Sequence, residues 1–295
     1  MCDTTFTFGQ RGDHFFQCPS LQDHTRLPKK LTSFLTSSQL QKVHHITLGF
    51  ENSFLITYRD KTGHDHIESR GLPPELENFL YATPPNGATT RNIPNLRLIL
   101  GPYNTSFFVH DGSSYLWMNL PQPLLSALQS RIKNGSWTDK PRIVALGADG
   151  NFLLITEKHA AVWDLSHYRT ISSMLEYSRT QDRGIEEIHA GTLHPYRYQC
   201  FVAQSRNGTL LHENLPPHQV AGVEGMTAAV MRDTKEAERK AKVERRPSLQ
   251  QRASLTRDWG ERKQEFRAQA NGLRLSLSLS VSAAGIAGGI GKMLG

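Results

Sequence analysis

The sequence predicts an all-β fold: a roughly five-bladed, β-propeller-like toroid of strand–turn–strand–helix repeats, with a basic helical tail at the C-terminus. Three observations carry that prediction. Short β-rich stretches recur five times at a period of about 40–50 residues, the range of propellers and solenoids, where one unit alone cannot bury its apolar face. Asp111-Gly112, Asp149-Gly150 and Asn207-Gly208 separate strands, and such pairs supply the positive φ that tight hairpin turns need. Charge is segregated: residues 1–228 balance 20 basic against 20 acidic side chains, whereas residues 229–295 hold 14 basic and 7 acidic, the whole net charge of +7.

The copies follow in order. Thr5–Phe8 ends at Gly9, then come His14-Phe15-Phe16, Leu27-Pro28 and an apolar face of Leu31, Phe34 and Leu35. Ile46–Leu48 ends at Gly49, then Ser53–Ile56, Leu72-Pro73, Leu76, Phe79 and Leu80. Leu98–Leu100 ends at Gly101, then Ser106–Val109, Leu120-Pro121, Leu124 and Leu128. Val144–Leu146 ends at Gly147, then Asn151–Leu154, Asp164-Leu165, Ile171, Met174 and Leu175. Ile188–Ala190 ends at Gly191, then Cys200–Val202 and Leu215-Pro216-Pro217. The marker glycines stand 40, 52, 46 and 44 residues apart. The long second period is a loop insertion around Pro84-Pro85-Asn86-Gly87. Leu-Pro suits a helix start, because proline fits the first turn, and Leu76, Phe79 and Leu80 then share one face. Trp117 and Trp163, late in their units, read as packing residues.

The tail separates from the repeats by composition. The domain reading is a repeat domain over 1–222, a basic helical or flexible segment over 223–272, and a terminal piece over 273–295. Residues 226–246 are rich in Ala, Glu, Lys and Arg, strong helix formers, with favoured i,i+4 pairs Glu236–Lys240 and Glu238–Lys242. Their apolar face, Val230, Ala237 and Ala241, is thin, so the helix is expected to be exposed or fluctuating, and Pro247 ends it. A second helical stretch over 249–269 carries Leu255, Trp259 and Phe266. Residues 273–282 alternate Leu or Val with Ser or Arg, the pattern of a strand with one buried face, expected as an added edge or closing strand of the toroid, with an exposed apolar strand that binds a partner or aggregates as the alternative.

Val144–Gly147, Asp149-Gly150 and Val162-Trp163-Asp164 resemble both RCC1-type and WD-type propeller blades. No copy carries the RCC1-type closing segment, and Trp-Asp occurs once, without a preceding Gly-His pair. With the Leu-Pro helix starts, residues 5–217 also look similar to propeller-like repeat proteins of filamentous fungi. This resemblance implies a fold and no activity.

Hydrophobic residues make up 38% of the chain, and no apolar run approaches the ~20 residues of a membrane-spanning helix. Cys2, Cys18 and Cys200 form no disulfide framework and fit a reducing compartment; with no secretory pattern at the N-terminus, the expected location is cytoplasm or nucleus. Gly285–Lys292 lacks the Walker spacing, since Ile286 stands where glycine is required. No Gly-x-Ser-x-Gly elbow, Cys-x-x-Cys or His-Glu-x-x-His occurs. His44-His45 and His64-Asp65-His66 are the densest histidine groups and lack an obvious third metal ligand. Asn104, Asn134 and Asn207 head glycosylation triplets and read as turn residues. No cofactor or catalytic residue is assigned.

The chemistry that remains lies in the tail. Ser248 and Ser254 follow arginines in the pattern of basophilic kinases, and phosphate there would cut the local positive charge. Arg245, Arg246, Arg252 and Trp259 are the candidate partner-binding residues. The expected function is a non-enzymatic protein-interaction scaffold with a phosphoregulated basic tail. One alternative is a nuclear, chromatin-associated regulator whose tail contacts nucleic acid in a salt-dependent way. A weaker one for the tail is an anionic membrane surface. Another is an enzyme whose site sits in a central channel, built from several repeats.

Overall fold

The computed structural model describes residues 2–82, 91–182 and 184–244. The chain divides into two units, Met1–Arg239 and Lys240–Gly295. The inserted residues 83–90, the stretch 249–269, the alternating segment 273–282 and all six tail candidates, Arg245, Arg246, Ser248, Arg252, Ser254 and Trp259, lie outside the described residues.

The first unit is β-rich. Its described residues form five three-stranded antiparallel sheets and one short hairpin, with strands in sequence order in every sheet. Sheet one comprises β1 (Thr5–Phe8), β2 (His14–Cys18) and β3 (Leu21–Thr25), followed by α1 (Lys29–Leu35). Sheet two comprises β4 (Leu40–Leu48), β5 (Phe54–Asp60) and β6 (Asp65–Arg70), followed by α2 (Pro74–Leu80). Sheet three comprises β7 (Arg97–Leu100), β8 (Phe107–His110) and β9 (Tyr115–Met118), followed by α3 (Gln122–Gln129) and the hairpin β10 (Ile132–Lys133) and β11 (Ser136–Trp137). Sheet four comprises β12 (Pro141–Leu146), β13 (Phe152–Thr156) and β14 (Ala161–Asp164), followed by α4 (Arg169–Thr180) and α5 (Gly184–Glu187). Sheet five comprises β15 (Ile188–Leu193), β16 (Phe201–Ser205) and β17 (Leu210–Glu213), followed by α6 (Pro217–Glu244).

The middle strands lack polar alternation because both their faces are covered. Leu153 and Ile155 pack towards sheet five, while Phe152 and Leu154 pack towards sheet three. A strand buried on both faces reads as a continuous apolar run. Five apolar clusters result. They join sheet one to two, two to three, three to four, four to five, and five back to one. Each contains the helix that follows the earlier sheet: Leu31 of α1, Leu76 and Leu80 of α2, Leu124 and Leu128 of α3, Ile171 and Leu175 of α4. The chain turns from third strand to helix through a left-handed residue at Arg26, Gly71, Asn119 and Asn214. Leu and Pro follow each of them. Sheet four departs from this pattern. There Tyr168 precedes α4, fully buried, and its hydroxyl donates to the His194 carbonyl (2.7 Å) and accepts from the Ala148 amide (2.9 Å).

Two sequence expectations change. The fifth marker residue is His194, not Gly191. In the other repeats the marker amide donates to the residue just before the second strand: Gly9 to Asp13, Gly49 to Ser53, Gly101 to Ser106, Gly147 to Asn151. In the fifth, His194 donates to Cys200 at 2.8 Å, and Gly191 lies inside β15. A longer loop, Pro195–Gln199, concealed the register. The helix expected as exposed over 226–246 begins at Pro217, and its first half is the fifth inter-sheet helix. Val223, Met226, Ala229 and Val230 are buried with Phe6, Phe8 and Phe16 of sheet one and Val202 of sheet five. Gly222 permits this approach, since a Cβ there would stand 2.3 Å from Asp23 Oδ2. Further along, Asp233 accepts from the Ser20 amide (2.9 Å), and Cys2 Sγ lies 3.2 Å from Thr234 Oγ1.

Candidate functional site

The first strands of all five sheets, β1, β4, β7, β12 and β15, line one cavity of about 270 Å³. None of them pairs with another through its backbone, so side chains link them. Thr7 Oγ1 accepts from the Leu48 amide (2.9 Å), and Thr47 Oγ1 donates to the Leu98 carbonyl (2.8 Å). Arg142 Nη1 donates to the carbonyls of Ile188 (2.6 Å) and His189 (3.3 Å). His189 Nε2 donates to the Cys2 carbonyl (3.1 Å), and Thr4 Oγ1 bonds to Gln204.

Where these strands begin, the lining is cationic and imidazole-rich: Arg97 and Arg142 with His45, His110 and His189. Burial pushes the His45 imidazole down to about 3, helped by the Arg97 charge and opposed by the Leu98 backbone. Burial and Arg97 likewise bring His110 down to about 4, against the pull of Asp111. His189 is lowered by burial and by Arg142, and its bond to Cys2 opposes this. These imidazoles are therefore neutral at pH 7 while the guanidiniums stay charged. Burial lowers both arginines from their ordinary value, with Asp3 opposing at Arg97, and at Arg142 with Arg206 adding to the fall and Glu186 opposing it.

Where the strands end, the loops to the second strands carry exposed aromatics. Tyr103 is 60% exposed and Tyr198 is 50% exposed. Tyr103 packs edge-on against Phe50 (5.1 Å between ring centroids) and against Tyr196 (6.0 Å). Tyr198 lies 4.5 Å from the His167 ring and donates its hydroxyl to Asp149. Glu51, Tyr103, Asn104, Asp149 and Gln199 all hold φ between 51° and 57° there. That left-handed conformation costs a side-chain-bearing residue about 1–2 kcal/mol. Asn104 has a structural reason for it: its amide oxygen accepts from Phe50 N, and its Nδ2 donates to Ser53 and the Gly71 carbonyl. Among the described residues, no such bond occupies the Tyr103 ring.

The other histidine groups seen in the sequence are engaged locally. His44 pairs with Asp65 (2.7 Å), His66 with Asp60 (2.7 Å), and His64 Nδ1 lies 2.8 Å from Thr62 Oγ1. Among the described residues, no set of three His, Cys, Asp or Glu side chains is placed to hold a metal ion. Nor is any helix there long and apolar enough to cross a membrane. Trp117 and Trp163 pack against inter-sheet clusters, and Arg179 lies 5.3 Å from the Trp163 ring.

Sequence reasoning missed the cavity cations. Their signal was positional: Arg97, Arg142 and His189 stand at the first or second residue of a first strand, and His45 stands just before the apolar run Ile46–Leu48 within β4. No family model, no curated protein and no solved structure matches this chain.

Proposed function

We propose that the five sheets are the blades of a five-bladed β-propeller, and that the protein is a non-enzymatic interaction scaffold engaging a protein partner through the loop end. The propeller reading is supported by the consecutive packing of the sheets, by the return of sheet five to sheet one, and by the shared lining of the cavity. The interaction reading is carried by Tyr103, an exposed aromatic in a left-handed backbone, with Phe50 and Tyr196 against it. Aromatic side chains on pre-set loops are the residue type that dominates binding energy at interfaces. The enzyme alternative gains least. The cavity lining carries arginines and histidines and, among the described residues, no carboxylate to pair with them in acid–base work.

The test uses the full chain as bait, as wild type and as Tyr103→Ala/Tyr198→Ala, at low and high salt. A partner held by the wild type at high salt and lost from the double variant supports the loop end. Equal capture by both overturns it. Capture that salt strips, that brings nucleic acid, and that disappears from a chain ending at Glu244 moves function to the tail. In that second reading, favoured by the net +7 of residues 229–295, Arg245, Arg246 and Arg252 contact phosphates and phosphorylation of Ser248 and Ser254 releases them.

A further inference from the structure

Among the described residues, the cationic end of the cavity lacks a counter-charge. Arg97 and Arg142 stand on neighbouring first strands, each half-buried, and no aspartate or glutamate is among the described residues lining the cavity. Arg97 donates through Nη1 to the carbonyls of Pro94 and Leu96 (both 2.9 Å). Its Nε and Nη2 meet no acceptor among the described residues. Arg142 Nη1 is used on the Ile188 and His189 carbonyls, while its Nε and Nη2 are buried without a partner. The three carboxylates whose fields reach this group do not neutralise it: Asp111, which acts on His110, pairs with Arg91. Asp3 is exposed and forms no ion pair with Arg97 or His189, and Glu186 pairs with Arg206. Backbone carbonyls satisfy donors but cancel no charge, and a desolvated cation without a counter-ion is costly.

We propose that this end of the cavity binds a small oxyanion, a phosphate or carboxylate group, with Arg97 as its forked donor and Arg142 as the second cation. A guanidinium presents parallel N–H groups matched to two oxygens of such a group. The neutral His110 imidazole adds a donor without adding charge in its Nδ1–H tautomer: that atom is buried and without a partner among the described residues. The volume suits an inorganic ion or a short-chain acid more than a nucleotide, being at the lower edge of small-molecule pockets. The inference goes beyond the interaction reading and rests on the cavity lining, not on the loop end.

The experiment is isothermal titration of the full chain with inorganic phosphate and, separately, with succinate, at constant ionic strength. The expected result is one-to-one binding of at least one probe, and which of the two binds names the ligand class. Arg97→Met should weaken it at least about tenfold, about 1.4 kcal/mol, and Arg97→Lys, which keeps charge without the fork, should fall between. Both variants are first shown to unfold cooperatively, so that lost binding is not lost folding. Arg245→Gln/Arg246→Gln and Tyr103→Ala/Tyr198→Ala should each bind as wild type, so failure of the loop-end reading leaves this one standing. No heat with either probe overturns the proposal. So does unchanged binding by Arg97→Met, or binding abolished by Arg245→Gln/Arg246→Gln, which would place the anion on the tail.

Discussion

His194 occupies the position that glycine holds in the other four repeats, and its side chain fills the seam between sheets five and one. The ring stacks on Phe8 with centroids 4.8 Å apart, and Nδ1 accepts from the Tyr196 amide at 3.1 Å. Burial, with the Arg197 charge adding to it, brings this imidazole down to about 3, alongside His45 at about 3 and His110 at about 4. The ordinary value is 6.5, so between pH 6.5 and 4 the unfolded chain binds protons that the folded chain refuses. Stability is then full above pH 6.5 and falls as pH drops through that window, by up to about 1.4 kcal/mol per pH unit for each histidine. Asp60 and Asp65 are held below their ordinary 3.8, chiefly by bonds from Thr62 and His66 to Asp60 and from Arg59 to Asp65. They therefore add loss only at lower pH. Urea denaturation at pH 7, 5.5 and 4.5 should show a steep fall, and His194→Gln should reduce the slope by about one proton. A flat profile from pH 7 to 4.5 would show that these imidazoles are protonated in the folded state.

At the scale of the element, α6 joins two kinds of physics in one helix. Val223, Met226 and Val230 follow at i, i+3 and i+7 and are fully buried, whereas Arg239 and Lys242 are exposed. Met226→Ala should cost about 2–5 kcal/mol, the range for truncating a large buried side chain. Arg239→Ala should change little, and thermal unfolding of the two variants separates the halves of the helix. The apolar spacing was legible in the sequence, but Ala, Glu, Lys and Arg downstream made the whole segment read as solvated. Other elements were legible because local chemistry dictates them. The runs Phe54–Ile56, Phe107–Val109 and Phe152–Ile155 are apolar on both faces, and Leu-Pro marks where α1, α2, α3 and α6 begin. What stayed hidden depends on partners distant in sequence. His14 pairs with Phe8 where Phe54, Phe107, Phe152 and Phe201 pair with their own first strands. Its bond to Asp23 (2.7 Å) lies within sheet one, but its stacking on His218 (5.8 Å) exists only once α6 has docked. The convergence of the cavity cations was equally illegible, because β4, β7, β12 and β15 meet only in the folded unit.

For the whole molecule, the seam between sheets five and one decides whether the other four interfaces persist. It is built from the two ends of the first unit: Cys2 Sγ lies 3.6 Å from the Val230 carbonyl, and His218 Nε2 donates to the Gly12 carbonyl at 2.9 Å. These contacts span nearly the whole unit in sequence, so they form late and at a high entropic cost of closure. A chain ending at Gly225 loses Met226, Ala229 and Val230 from this cluster, together with the Asp233 and Thr234 bonds to Ser20 and Cys2. Burial of a Met or Val side chain contributes about 1.5–3 kcal/mol each, against a net stability of about 5–15 kcal/mol for a domain. The truncated chain also leaves Phe6 and Phe16 facing water. It should therefore lose its cooperative transition or unfold far below the full chain. A chain ending at Glu244 keeps every one of these contacts and should melt as the full chain does. Paired thermal melts followed by near-ultraviolet circular dichroism make the comparison. A chain ending at Gly225 with an unchanged midpoint would show that sheets one and five hold together without the helix, and that α6 is an appendage, not the fifth inter-sheet helix.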